Sequence, residues 1–270
     1  MRIIKGLFKK YSVQPIKKLG QHFLVNKKVL EKIIESANLQ PNDIIFEIGP
    51  GIGVLTQELV KKTRKVIAIE KDPKMIEILK EVLNDFNNVE IVQGDILKIN
   101  PRYWLPITGY YKVVANLPYY IVSPVIRKFL ESKYPPKEMI LMVQKEVAQR
   151  ICSKPPDMNL LAVSVQFYSK PEIIAFVSKK SFWPQPKVDS AIIKITVNRK
   201  QLIVNRNLFF KVVKASFSQP RKQILNNLSK GLKLNKEKVK SWLLENNILP
   251  TQRAETLSIQ DWLNLAKTLK

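Results

Sequence analysis

Four short stretches of this chain carry residues whose types and spacing could do chemistry. The first is Phe46-Glu47-Ile48-Gly49-Pro50-Gly51-Ile52-Gly53-Val54, an apolar run that ends in alternate glycines and passes into a helical pattern. Glycines there permit positive φ and close approach of a ligand to the backbone, and the free N–H groups of the following helix would face that ligand. A tight strand-to-helix turn with no ligand has the same appearance. The second is Glu70, 21 residues beyond Gly49, a spacing that fits an acid accepting a ribose diol. The third, Gly94-Asp95, follows a strand pattern as Glu70 does, and its carboxylate can reach the exocyclic amine of an adenine. The fourth is Asn116-Leu117-Pro118-Tyr119.

Together these stretches narrow the ligand. Val54 stands where a dinucleotide fingerprint has its third glycine, and no G-x-x-x-x-G-K-[ST] loop occurs, which counts against a pyrophosphate on the helix N-terminus. A glycine loop of this kind beside an acidic ribose ligand favours S-adenosylmethionine. The exocyclic amine of adenine is a poor nucleophile, because its lone pair is delocalised into the ring. The side-chain carbonyl of Asn116 and a nearby backbone carbonyl would accept its two hydrogens and draw the lone pair out of conjugation. In-line displacement at a sulfonium methyl needs positioning more than a strong base, which suits a chain whose only histidine is His22. Tyr119 offers a stacking face, and Phe182 or Trp183, on a loop stiffened by Pro184 and Pro186, could cover the base from the other side. The plainer readings are an Asn-capped turn with a buried tyrosine, and core packing for the two aromatics.

The elements that must position these residues are legible as a repeat of types. Strand patterns over 43–48, 65–70, 89–92, 112–116 and 139–143 alternate with helical ones over 54–62, 73–83 and 123–131. Such alternation predicts a parallel sheet covered on both faces, with ligands beyond the carboxyl ends of the strands. An earlier helix follows Asn26 as its N-cap. Two further strand-like runs, 161–167 and 191–197, bracket the proline loop, where no regular structure is expected. After residue 205 only helical patterns remain, over 208–216, 223–228, 236–245 and 259–269. The expected organisation is a mobile basic arm over 1–18, an α/β domain over 19–200 and a helical domain over 201–270, with the boundary near 199–204.

Composition sets the outer bounds. Lys and Arg number 46 against 22 Asp and Glu, a net charge of +24, which attracts nucleic acid or an anionic membrane. No apolar run approaches the ~20 residues that span a bilayer. Cys152 is the only cysteine, so an intrachain disulfide is excluded, and with one histidine the usual zinc sites cannot be built. Met1 to Lys10 lacks an apolar stretch with a small-residue cleavage site, so no secretory signal is read and a cytoplasmic location is expected.

With these pieces assembled, the chain resembles the KsgA family of small-subunit (16S) rRNA adenine N6-dimethyltransferases. The matching residues are Gly20-Gln21-His22-Phe23-Leu24, Glu47 to Gly53, Asn116 to Tyr119, Met142 to Val147, and Phe182-x-Pro-x-Pro-Lys-Val-x-Ser190. Arg221-Lys222, Asn226-Asn227-Leu228 and Arg253-Ala254-Glu255 extend the likeness toward the C-terminus. The resemblance implies a class I methyltransferase fold, Rossmann-like, with a mainly parallel seven-stranded sheet and a small all-helical C-terminal domain. It implies cofactor contacts from His22, Leu24, Gly49, Gly51, Glu70, Asp95 and Asn116. Asn116, Leu117, Pro118 and Tyr119 would hold the target adenine, with Phe182 stacked on it. Arg221 and Lys222 would bind RNA, and no metal takes part. The implied substrate is a pair of adjacent adenosines near the 3′ end of small-subunit rRNA, in the assembling 30S-type subunit, for a monomeric enzyme. This chain has His22 where many relatives have Asn, and Arg221-Lys222 where many have Arg-Arg.

Competing readings remain at this point. A large-subunit rRNA methylase of the macrolide-resistance type shares the glycine loop but usually carries Ile at the position of Leu117 and lacks Arg253-Ala254-Glu255. An rRNA-binding assembly checkpoint, or a transcription factor of the related mitochondrial branch, would share the fold with little catalysis. DNA adenine methylation would favour Asp/Asn-Pro-Pro-Tyr over the Leu117 sequence.

Overall fold

The computed structural model of the chain describes residues 2–104, 110–198 and 205–269. In chain order its first elements are α1 (Arg2–Lys10), β1 (Phe23–Leu24), α2 (Lys27–Ala37), β2 (Ile44–Ile48), α3 (Thr56–Val60), β3 (Lys65–Glu70), α4 (Pro73–Val82) and β4 (Val89–Gln93). Then come β5 (Lys112–Asn116), α5 (Val122–Leu130), β6 (Glu138–Gln144), α6 (Lys145–Ile151), α7 (Leu160–Gln166), β7 (Ser169–Val177), β8 (Phe182–Trp183) and β9 (Ser190–Val197). Four helices follow: α8 (Arg206–Ser216), α9 (Ile224–Leu232), α10 (Lys236–Glu245) and α11 (Ile259–Thr268). The contacts divide into two compact units, Met1–Ala148 with Glu172–Val197, and Gln149–Pro171 with Asn198–Lys270.

The first unit holds a seven-stranded sheet in the order β4-β3-β2-β5-β6-β9-β7. Strands β4 to β6 pair in parallel along this order, and β9 runs antiparallel to β6. Their sequences are near-continuous apolar runs because a parallel sheet is covered on both faces. Phe46, Ile67, Val114 and Ile140 accordingly have no exposed surface. Chain order reverses between β2 and β5, so the loops at their carboxyl ends diverge and leave a crevice. The glycine loop follows β2, and Leu117-Pro118-Tyr119 follows β5.

Three expectations are corrected. The run 161–167 is no strand: α7 covers Leu160–Gln166, capped by Asn159, whose side chain accepts from Leu161 and Ala162 N–H. An unbroken apolar run carries no period, so its valines read as strand where the cap makes helix. Residues 149–171 therefore belong with the second unit, whereas the expected boundary at 199–204 lies outside the described residues. The N-terminal arm is not loose over its length. It forms α1, and Phe8, buried, meets Phe23 and Trp183 edge-on with ring centroids 5.2 Å apart in each case. The proline loop also starts as structure: Phe182 and Trp183 form β8, antiparallel to β1, pairing Leu24 with Phe182 and Phe23 with Trp183.

The second unit is helical. Phe209 and Trp262 have no exposed surface, and Phe167 packs on Phe209 at 4.1 Å. Asn227 is buried in α9 and donates from Nδ2 to the carbonyls of Ser216 and Gln219, at 2.7 and 2.9 Å. Those two bonds pin the turn that carries exposed Arg221 and Lys222.

Candidate active site

Glu70 organises the floor of the crevice. It ends β3 and is 7% exposed, so its carboxylate must find donors within the protein. Oε2 accepts from the Gly51 N–H at 3.1 Å, and Oε1 from the N–H groups of Lys71 and Asp72 at 2.7 and 2.8 Å. Burial pushes this carboxyl above its ordinary range, and the three backbone donors pull against that shift. Because a carboxylate has about four acceptor positions, a ribose hydroxyl can still be received. Gly51 must be glycine on two counts. Its φ is +59°, and a Cβ there would meet the Phe23 ring at 3.0 Å.

Glu47, in β2, is a second acid on the wall of this crevice. It is 1% exposed, and its Oε2 has no hydrogen-bond partner among the described residues. Burial, with the Glu70 charge added, pushes its carboxyl up to about 8. An acid whose folded value is raised holds a proton that the unfolded chain has released, so stability falls as pH rises from about 4.5 to about 8. Glu47→Gln, which keeps the shape without the ionisation, should therefore gain on wild type by the order of a few kcal/mol between those limits. Urea unfolding of both proteins at pH 5.5 and 8.5 measures this, and parallel losses in the two would refute it.

Asn116 ends β5 with its amide fixed in one sense. Nδ2 donates to the backbone carbonyl of His22 at 3.1 Å, which leaves Oδ1 as the acceptor. The segment around His22 is itself held. Gln21 donates to Asp72 at 2.8 Å, and His22 Nδ1–H donates to the Pro184 carbonyl at 2.7 Å, since a carbonyl can only accept. The His22 ring lies over Tyr119 with centroids 5.9 Å apart and planes 29° apart. Tyr119, half-buried, bonds through its hydroxyl to Ser190 at 2.8 Å, and burial raises its ionisation above the usual range. Pro118 closes the gap to the glycine loop, its Cδ lying 3.6 Å from where a Cβ on Gly49 would sit.

The other predicted residues divide. Leu24 and Asp95 line the crevice. Asp95 accepts from Leu97 N–H and pairs with Lys71 at 3.0 Å, and these, in that order, hold its carboxyl below the usual range. Leu117 reaches the crevice, but its side chain is buried and its N–H donates to the Met142 carbonyl. Phe182 does not line the crevice. It is 4% exposed and belongs to the core cluster with Leu24, Leu55 and Ile192. Packing of β8 against β1 turns it inward, and the ring beside Tyr119 is that of His22. Arg221 and Lys222 lie in the second unit, on the turn before α9.

Sequence reasoning assigned no role to Glu47, Lys71 or Ser190, and read Pro184 only as stiffening its loop, not as the acceptor for His22. An acid inside an otherwise apolar strand was a signal for Glu47. The other three act through partners remote in sequence, so no local pattern marks them.

A family model for ribosomal RNA adenine dimethylase matches residues 14–270. The ribosomal RNA small subunit methyltransferase A of Dehalococcoides mccartyi is 44% identical over 263 residues, covering 97% of this chain and 90% of that protein. That of Clostridioides difficile is 43% identical over 272 residues, covering 98% and 94%. Among solved structures, a dimethyladenosine transferase from Plasmodium falciparum superimposes with a TM-score of 0.77 at 30% identity, over 90% of this chain and 96% of that one. The 23S rRNA methyltransferase ErmE does so with a TM-score of 0.76 at 26% identity, over 91% and 98%.

Proposed function

Because this chain belongs to the ribosomal RNA adenine dimethylase family, we propose that it uses S-adenosylmethionine to dimethylate the exocyclic amines of two adjacent adenosines near the 3′ end of small-subunit rRNA. The observation that carries this reading is the meeting of the glycine loop, Glu70 and Asn116 in one crevice at the reversal of strand order. Similarity of fold does not by itself select the small subunit, since a 23S rRNA methyltransferase superimposes as well as a dimethyladenosine transferase does, with TM-scores of 0.76 and 0.77. Identity of 39–44% with small-subunit enzymes, together with Leu117 in place of Ile, favours the small subunit.

The crevice fits the cofactor by its hydrogen-bond acceptors. Glu70 and Asp95, on its wall, offer carboxylate oxygens to a ligand that carries hydroxyl and amine donors. S-adenosylmethionine, when bound, supplies an electrophilic methyl on a sulfonium. Glu70 takes a ribose hydroxyl, Asp95 the adenine amine, and Gly49 and Gly51 give the backbone approach, with His22 and Leu24 at the border. Asn116 Oδ1 accepts one hydrogen of the target amine, which holds the nitrogen lone pair toward the methyl. Tyr119 and His22 present the aromatic surface for the target base, and Pro118 fixes its distance from the glycine loop.

Arg221 and Lys222 contact rRNA phosphates in this reading. RNA affinity should then fall steeply with salt, about twentyfold between 50 and 200 mM for only three neutralised phosphates, at roughly 0.7 per phosphate in the logarithmic slope. A flat affinity over that range, measured by filter binding, would remove the electrostatic account. The enzyme acts as a monomer on the assembling small subunit in the cytoplasm; no described helix is long and apolar enough to cross a membrane.

The deciding experiment incubates the protein with unmethylated small and large subunits and methyl-labelled cofactor, then maps the modified bases. Dimethyladenosine at two adjacent positions of small-subunit rRNA is the expected outcome. Label confined to large-subunit rRNA would overturn the assignment.

A further inference from the structure

The motif Met142 to Val147 has no part in the crevice, yet it brings Lys145 to the same rim of the sheet. There the Lys145 ammonium lies 5.3 Å from the ring centroid of Phe176, in the end strand β7. Phe176 is 57% exposed, which leaves ring surface open beside the ammonium. Exposed Lys180 and Lys187 lie in the chain between Phe176 and Ser190, and none of the ion pairs seen among the described residues includes them or Lys145. Asp189 ties this rim to the site: its carbonyl accepts from Lys145 N–H and its Oδ1 from Lys179 N–H, both at 3.0 Å. The next residue, Ser190, bonds the Tyr119 hydroxyl at 2.8 Å. A run of neighbours therefore leads from the Tyr119 face to an exposed aromatic ring beside the Lys145 ammonium, with Lys180 and Lys187 exposed in the connecting segment.

We infer that Phe176 and Lys145 form a subsite for a nucleotide flanking the target adenosine: its base stacks on Phe176, and Lys145, Lys180 and Lys187 take the adjoining phosphates. The inference rests on rRNA being the substrate. Stacking platforms beside cations are how single-stranded RNA is held without reading its sequence, and an apolar protein partner would not call for three free lysines.

The test compares wild type with Phe176→Ala, Phe176→Trp and Lys145→Ala, using an unmethylated small-subunit rRNA fragment and, separately, the assembled subunit. Phe176→Ala should weaken RNA binding roughly tenfold to a hundredfold and raise the KM for RNA with little change in kcat. Phe176→Trp should restore binding. Lys145→Ala should lower the slope of log affinity against log salt by about 0.7 to 0.9. Cofactor affinity, measured by calorimetry, should be the same in all four. Unchanged RNA affinity in Phe176→Ala would overturn the subsite, as would loss of binding to the assembled subunit alone, which would assign the face to a protein. Failure of wild type to methylate small-subunit rRNA is a separate result and would strike the substrate assignment instead.

Discussion

Replacing Asn116 with alanine should lower kcat by about two to three orders of magnitude while leaving affinity for S-adenosylmethionine within about threefold of wild type. The first figure is the usual loss when one preorganised polar partner of the reacting centre is removed, about 2.7–4 kcal/mol. The second follows from the geometry. Asn116 spends its Nδ2 on the His22 carbonyl, not on the glycine loop or Glu70, so the cofactor floor keeps its own hydrogen bonds. The alanine variant leaves that carbonyl unpaired, a modest cost for a partly buried group. Asn116→Asp is the sharper control, since it keeps an acceptor and removes the Nδ2 anchor. Single-turnover rates with saturating RNA, beside calorimetric cofactor titrations, separate the two effects. A loss of cofactor affinity equal to the loss of rate would show that Asn116 serves the cofactor and not the target amine.

Replacing Glu70 with alanine should weaken S-adenosylmethionine about tenfold to a hundredfold. A hydrogen bond from a ribose hydroxyl to the one acceptor position that the backbone donors leave on this carboxylate is worth roughly 1.5–3 kcal/mol. Alanine also deprives Gly51, Lys71 and Asp72 of the acceptor for their N–H groups, so the glycine loop itself loosens. Glu70→Gln separates these contributions, because its amide oxygen still serves some of the backbone donors without the charge. An affinity intermediate between wild type and alanine is expected for it, with thermal unfolding close to wild type. Unchanged cofactor binding in both variants would remove the ribose role.

Much of the sheet was readable because its central parallel strands are buried on both faces and so repeat short apolar runs. Glu70, Asp95 and Asn116 were singled out partly by their places at strand ends, and all three line the crevice. The same logic failed for residues 161–167, where an apolar run has no period and the Asn159 cap makes helix over Leu160–Gln166. It failed for the first residues too, since basic composition concealed Phe8, which anchors α1 against Phe23 and Trp183.

The glycine loop, the acid that ends β3 and the Asn-Leu-Pro-Tyr turn after β5 are local features, because chain geometry over a few residues fixes what such runs can do. How those pieces meet is a matter of long-range packing. The bond from His22 to Pro184 spans 162 positions, and the Asn116 amide takes its orientation from a carbonyl 94 positions away. Tertiary packing also turned Phe182 into the core, left His22 as the ring beside Tyr119, and buried Glu47 without a partner for its Oε2 among the described residues. Contacts of that reach depend on how β1 packs against β8 and how the strands order in the sheet. No spacing along the chain encodes either.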